Sequence, residues 1–311
     1  MKREIGWDEI THDDRSVVTV GTFDGVHRGH RAIIEYLKQR AEKQSGPSTL
    51  VSFDPHPRTV VQKEEVPLLT TVAERADLLE ELGLDRFVVV PFSTEFAQLG
   101  PKEYVRDVLV TQIGLQEVTV GYDHRFGKDR AGDVELLRDL GDHFGFEIDV
   151  IPPQHVDRDI VSSSAIRSLL RDEGAIEEAN ERLGRPYQLE GIVAWGKGRG
   201  RQLGYPTANL ALEDVRKLVP KRGVYATTVT LPDGQQRSGM MNIGRRPTFD
   251  EMDVTVEVHL LDFEGDLYGE RLSVQFLQRL RDEQKFESAE ALAAQLSKDE
   301  EHCKSVIGAT A

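Results

Sequence analysis

The chain has 311 residues, of which 39% are hydrophobic and 30% charged, and its 54 acidic against 39 basic residues give a formal net charge of −15. This length suggests about two domains with ample core, and the charge argues against general nucleic-acid or anionic-membrane binding, where basic patches supply the affinity. There is no run of roughly 18 apolar residues to span a membrane, MKREIGWDEITHDDR lacks a signal-peptide core, and a single cysteine, Cys303, excludes an internal disulfide and fits a reducing cytoplasm. The expectation is a cytoplasmic protein with no nucleic acid, no membrane and no obligate protein partner evident.

The first informative stretch is VVTVGTFDGVHRGH, Val17 to His30. Val17–Val20 reads as a buried strand. A glycine turn follows, and a helix opens at about Gly29, with Ile33, Ile34, Leu37 and Ala41 forming its apolar stripe. A strand, a glycine turn and a helix N-terminus together make an anion site. His27 and His30 flank Gly29 about one helical turn apart, so both rings can face one anion. Two such histidines are also an ordinary solvated pair. A metal site would need further ligands, and none with suitable spacing accompanies them.

Four more apolar runs follow, Leu50–Phe53, Phe87–Val90, Val118–Val120 and Phe146–Ile151, with helical patterns near 31–44, 71–82, 101–113 and 133–144. Alternating strand and helix predicts an α/β domain, a Rossmann-like doubly wound parallel sheet with ligands at the carboxyl ends of its strands. The motifs fall at those ends. FDPHPR (53–58) has two prolines and reads as a stiff loop. GYDHRFG (121–127) and the residues after it gather Asp123, His124, Arg125, Lys128 and Arg130, which suits either phosphate handling or a solvated turn. Ser162, Ser163 and Ser164 read as hydroxyls at a helix N-terminus, with Arg167 able to fork onto phosphate oxygens.

A linker begins near Leu183-Gly184-Arg185-Pro186, dividing the chain into 1–183 and 184–311. Strand-like runs then appear at 187–195, 223–231, 235–243, 253–262 and 270–280. They predict an antiparallel β-barrel, covered by a terminal helix near 288–306 with Ser288 as its N-cap. GKGRGRQLGYPTAN (196–209) places Gly196, Gly198, Gly200, Arg201 and Gly204 ahead of Pro206, Thr207 and Asn209. Glycines admit phosphates close to the backbone, although a Gly/Arg run alone also describes a flexible or RNA-binding loop. Glu257 lies in VTVEVHLLD, where alternation alone makes it an exposed strand residue. Arg281, Lys285 and Phe286 follow in RDEQKF.

GTFDGVHRGH with SSSAIR resembles the nucleotidyltransferase superfamily, and FDPHPR with GYDHRFG resembles its flavin adenylyltransferase branch. With the Pro-Thr-Ala-Asn stretch, nearly the whole chain resembles the bacterial bifunctional riboflavin kinase/FAD synthetase family. The resemblance implies a transferase with an N-terminal FMN adenylyltransferase domain and a C-terminal riboflavin kinase barrel. ATP and Mg²⁺ serve both steps, with riboflavin, FMN and FAD as substrate or product. It implies that Gly21, Phe23, Asp24, His27, Gly29, His30, Asp123, Ser162, Ser163, Ser164 and Arg167 bind ATP for adenylylation, His27 and His30 being catalytic. Phe53, Pro55, His56, Pro57 and Arg125 are then expected on the flavin side. In the barrel it implies that the 196–209 residues named above bind ATP, with Thr207 and Asn209 on Mg²⁺. Glu257 is the implied base, and Arg281, Lys285 and Phe286 are implied to cover the flavin. The family usually has threonine where this chain has Ser164, which keeps the hydroxyl. Two rivals stand beside this reading: a related nucleotidyltransferase on another substrate, and a nonenzymatic flavin-binding regulatory protein.

Overall fold

Consecutive apolar residues in the first-half strands go to opposite faces of one sheet, as strands buried on both sides require. The computed structural model describes residues 1–122, 124–151, 161–196, 200, 204–247 and 252–310. In it β1 (Lys2–Ile5), β2 (Ser16–Val20), β3 (Ser48–Asp54), β4 (Arg86–Pro91), β5 (Leu115–Gly121) and β6 (Glu147–Ile151) form one sheet, ordered β1-β4-β3-β2-β5-β6. Every pairing is parallel. Val17, Leu50, Phe87 and Val89 pack with α1 (Arg28–Gln44) and α3 (Val72–Glu81). Their neighbours Val18, Val51, Val88 and Val90 pack on the other side. There they meet the π-helical stretch Tyr104–Ile113, which continues α4 (Pro101–Glu103), and α5 (Val134–Phe144).

Two elements here differ from the sequence expectation. Lys2–Ile5 is an additional edge strand, and its buried residue is Glu4, bonded to Arg86 at 2.8 Å. FDPHPR does not end as a loop, because Pro57 opens α2 (Pro57–Gln62) with His56 as its N-cap, the helical position where proline is best tolerated. β2 lies between β3 and β5. The chain therefore leaves β2 in one direction and later resumes on its other side, which opens a crevice at the carboxyl ends of β2 and β5.

β7 (Tyr187–Ala194), β8 (Ala208–Leu212), β9 (Gly223–Thr230), β10 (Gln236–Pro247), β11 (Met252–Leu260) and β12 (Arg271–Arg281) close into a barrel ordered β10-β11-β8-β7-β12-β9. All its pairings are antiparallel. β8 is a strand that the sequence reading had absorbed into the phosphate stretch. The terminal helix Ala289–Thr310 packs Cys303 against Ala226, Met240 and Leu261. Ser288 caps it, accepting from the Ala291 N–H at 3.2 Å.

The chain divides into two compact units, Met1–Ser163 and Ser164–Ala311. α6 (Ser163–Ser168) straddles that division. α7 (Ile176–Leu183) belongs with the barrel. Asn180 on it donates to the Phe276 carbonyl at 2.8 Å and accepts from the Tyr187 N–H at 2.7 Å.

Candidate active sites

The turn after β2 is held in a conformation it would not adopt unaided. Phe23 (φ 47°) and Val26 (φ 40°) both sit in the left-handed region around Gly25 (φ 87°), which is costly for residues with a Cβ. Asp24 supplies the restraint. Its buried carboxylate accepts from the Leu69 N–H at 3.0 Å and from the Thr70 N–H at 2.9 Å. The Thr70 hydroxyl donates to Asp24 at 3.1 Å and accepts from the Gly25 N–H at 2.9 Å. The Arg75 guanidinium, bonded to Ser52, lies 3.9 Å from the same carboxylate. Thr70, Ser52 and Arg75 carry no motif, and the sequence reading missed them.

This loop delivers His27 as the N-cap of α1. Its Nδ1 accepts from the His30 N–H at 3.3 Å. In the neutral ring the hydrogen is therefore on Nε2, an assignment inferred from that bond. His30 lies between Phe23 and His27, with ring centroids 4.5 Å and 3.6 Å away. The two imidazoles thus stack on each other. Gly29 and Gly21 leave room for the stack. A Cβ on Gly29 would approach the His27 ring to 3.3 Å, and one on Gly21 would come within 2.9 Å of the Phe23 ring. The Nδ1 of His30 is buried and has no hydrogen-bond partner among the described residues. Burial, then the neighbouring His27 and Arg75, holds His30 well below the usual histidine range, so the ring is neutral near pH 7.

The second motif reaches this loop. Ser163, the first residue of α6, donates its hydroxyl to the Asp24 carbonyl at 2.8 Å. Ser162 precedes it, half-buried. Ser164 and Arg167 stand further along α6, exposed and buried respectively. Phe53, at the end of β3, joins Phe92 and Phe96 in an aromatic group with centroids 5.4 Å and 6.1 Å away. Pro55, His56 and Pro57 lead from that strand into α2. Arg125 pairs with Asp133 at 3.0 Å. Asp123 lies outside the described residues.

In the barrel, the Thr207 hydroxyl donates to Glu257 Oε2 at 3.2 Å. Asn209 opposes Glu257 across the β8–β11 ladder, and Asn242 opposes it from β10. Thr207 stands just ahead of β8, two residues before Asn209. Hydroxyl, amide and carboxylate oxygens are thereby gathered, a hard-donor set suited to Mg²⁺. Gly196 must remain small, because a Cβ there would come within 2.7 Å of the Asn209 side-chain carbon. The Gly200 carbonyl accepts from the Tyr205 N–H at 2.9 Å, closing the loop ahead of Pro206. A polar cavity of about 710 Å³ opens beside Gly204, Tyr205 and Pro206 and reaches His259, Asp262 and Glu300. Gly198 and Arg201 lie outside the described residues. Arg281 forks onto the buried Asp299 of the terminal helix at 2.7–3.0 Å and lies 5.7 Å from the Phe286 ring, while Lys285 is exposed.

Comparison with known proteins bears on both sites. Residues 9–165 match the family model for FAD synthetase, and residues 183–307 match that for riboflavin kinase. A bifunctional riboflavin kinase/FMN adenylyltransferase of Pseudomonas fluorescens is 41% identical over 284 residues, covering 91% of this chain and 90% of that protein. Its counterpart from Listeria monocytogenes is 38% identical over 304 residues, covering 97% and 95%. A crystal structure described as a macrolide-efflux protein from Streptococcus pneumoniae superposes with a TM-score of 0.87 at 32% identity, over 98% of this chain and 99% of that one. Among the described residues of the present chain, no helix is long and apolar enough to cross a membrane. Sequence, fold and motif placement agree over both halves: the chain belongs to the bifunctional riboflavin kinase/FMN adenylyltransferase family.

Proposed function

We propose that residues 184–311 phosphorylate riboflavin to FMN and that residues 1–183 adenylylate FMN to FAD, both with Mg-ATP. The observation that carries this is the contact between Thr207 and Glu257 at 3.2 Å, which joins the two kinase motifs in one place. Riboflavin's 5′-hydroxyl attacks the γ-phosphorus of ATP, and the bond to the β-phosphate oxygen breaks. Glu257 takes the hydroxyl proton, the task such a nucleophile requires of a nearby acceptor. Thr207 and Asn209, with the ATP phosphates, would hold Mg²⁺, which when bound neutralises phosphate charge. Arg281, Lys285 and Phe286 are assigned to the flavin side. Arg281 would do this while anchored on Asp299.

The adenylylation needs no base. FMN's phosphate is already ionised and attacks the α-phosphorus of ATP, with pyrophosphate leaving. The protein's work is to align two anions and neutralise developing charge. His27 donates from Nε2 and His30 from the neighbouring ring of the stack. Ser162, Ser163, Ser164 and Arg167 are assigned to the β- and γ-phosphates. Ser163 must turn its hydroxyl away from the Asp24 carbonyl to take part. Phe53 and the loop through His56 face the flavin, with Arg125. Asp24 supports the nucleotide by shaping the loop. We place the enzyme in the cytoplasm, with small-molecule substrates and no nucleic-acid, membrane or obligate protein partner, in keeping with its net charge of −15.

Incubation with riboflavin and Mg-ATP, followed by chromatography of the flavins, tests the reading. FMN and then FAD are expected. FAD from supplied FMN, with no FMN from riboflavin, would remove the kinase half.

A further inference from the structure

The strand ladder beside Thr207 and Glu257 stops one step short of the threonine. β8 meets β11 at Asn209/Glu257 and at Ala208/Val258. The same antiparallel register would next oppose Thr207 and His259, but the ladder ends before that pair. A side chain completes it instead. His259 Nδ1 lies 2.7 Å from the Pro206 carbonyl oxygen. A carbonyl only accepts, so Nδ1 carries the hydrogen. His259 leaves β11 on the same face as Glu257, two residues earlier.

The ring is itself held in place. It lies edge-on to Tyr205, with centroids 5.2 Å apart. The Tyr205 hydroxyl donates to Glu300 of the terminal helix at 3.3 Å, and Lys304 pairs with Glu300 at 2.7 Å. Proline's ring already fixes φ at Pro206. The torsion left free before Thr207 is ψ of Pro206, and a hydrogen bond to that residue's carbonyl restrains it.

We infer that His259 is a positioning residue for riboflavin phosphorylation, its hydrogen bond to the Pro206 carbonyl setting the direction in which Thr207 presents its hydroxyl to Glu257 and to the Mg-ATP phosphates. The inference rests on the assignment of Thr207 and Glu257 made above. His259 acts through the backbone of its neighbour and touches no reacting atom. Its removal therefore weakens Mg-ATP binding more than it slows chemistry.

Full-length His259→Leu, His259→Asn and Glu257→Gln are compared in steady-state kinase assays at saturating riboflavin with varied Mg-ATP. His259→Leu is expected to raise KM for Mg-ATP roughly tenfold, the worth of one or so hydrogen bonds, with kcat within about threefold. His259→Asn places an amide N–H near the position of Nδ1 and is expected to restore KM to within about threefold of the original. A simple loss of packing would not be rescued in this way. A wild-type KM in His259→Leu, or an asparagine variant no better than the leucine one, overturns the inference. Glu257→Gln separates the two levels. If it keeps full kcat, the Thr207–Glu257 assignment fails and takes the inference with it. If it is slow while His259→Leu is unchanged, the inference alone fails.

Discussion

Phe23, His27 and His30 come from one turn and one helix start, whereas Thr207 and Glu257 are 50 residues apart in the chain. The first constellation is local in its parts but strained in its backbone. It depends on Asp24, Thr70 and Arg75 to keep the turn after β2 in place. The second needs no unusual backbone at its two central residues. It depends instead on strand register, because a one-residue slip of β11 would turn Glu257 to the opposite face. One site is thus held by a buried polar clamp and the other by a ladder. A substitution should show which support it removes by what else it disturbs.

The largest effect is expected from Glu257→Gln, which preserves the ladder and removes the proton acceptor. Riboflavin phosphorylation should fall by about 10²–10⁴, while supplied FMN is still converted to FAD in a coupled flavin assay. An unchanged kinase rate would reduce Glu257 to an ordinary strand residue. Next comes the double replacement His27→Ala and His30→Ala. FAD formation should drop by about 10²–10³, the usual loss for a transition-state donor, with FMN formation from riboflavin retained. Equal loss of both activities in folded protein would break the separation of the sites.

Asp24→Ala sharpens the contrast further, because it attacks the clamp and leaves both histidines. Three donors at Leu69 and Thr70 lose their buried acceptor, at a cost of about 3 kcal/mol or more. The urea midpoint of the first unit should fall together with FAD formation, and by more than in the histidine pair, where the loss at the α1 N-cap is about 0.5–2 kcal/mol. The smallest effect is a pH dependence. The folded state holds His30 below its ordinary value of 6.5, so below that pH the unfolded chain binds a proton that the native chain refuses. The stability from this neutral ring is complete above 6.5 and declines as pH falls, by at most about 1.4 kcal/mol per pH unit. His30→Phe keeps an aromatic ring in the stack and cannot titrate. Urea unfolding at pH 5.5 and 7.5 should therefore show a smaller difference in this variant than in the wild type.

Strands β2 to β5 are legible because buried parallel strands need runs of apolar residues, and Val17–Val20 or Phe87–Val90 carry them openly. Lys2–Ile5 was not legible. Its sequence, KREI, is mostly charged, and the residue it buries is a glutamate paired with Arg86 on the neighbouring strand. β8 was hidden by its own motif, since Ala208–Leu212 begins inside the Pro-Thr-Ala-Asn stretch. Among site residues, the His27–His30 spacing announced a shared turn, but not that the rings would stack at 3.6 Å. Asp24 is a nucleotide residue only by the family resemblance of GTFDGVHRGH. The groups that engage it lie 45 and 46 residues away, at Leu69 and Thr70, where no spacing rule reaches. His259 was passed over for the same reason, its partner being a backbone carbonyl 53 residues away.

Cys303 offers a consequence of a different kind. It is the chain's single thiol, fully buried on the barrel-facing side of the terminal helix, with Sγ donating to the Gly239 carbonyl at 3.3 Å. Burial pushes its pKa up to about 11, so the nucleophilic thiolate is scarce at neutral pH as well as inaccessible. Alkylation then requires the terminal helix to lift from β9 and β10. The rate of labelling by a small maleimide thus counts openings of this one seam in the native ensemble, and any substrate that slows labelling reports that its binding holds the terminal helix onto the barrel.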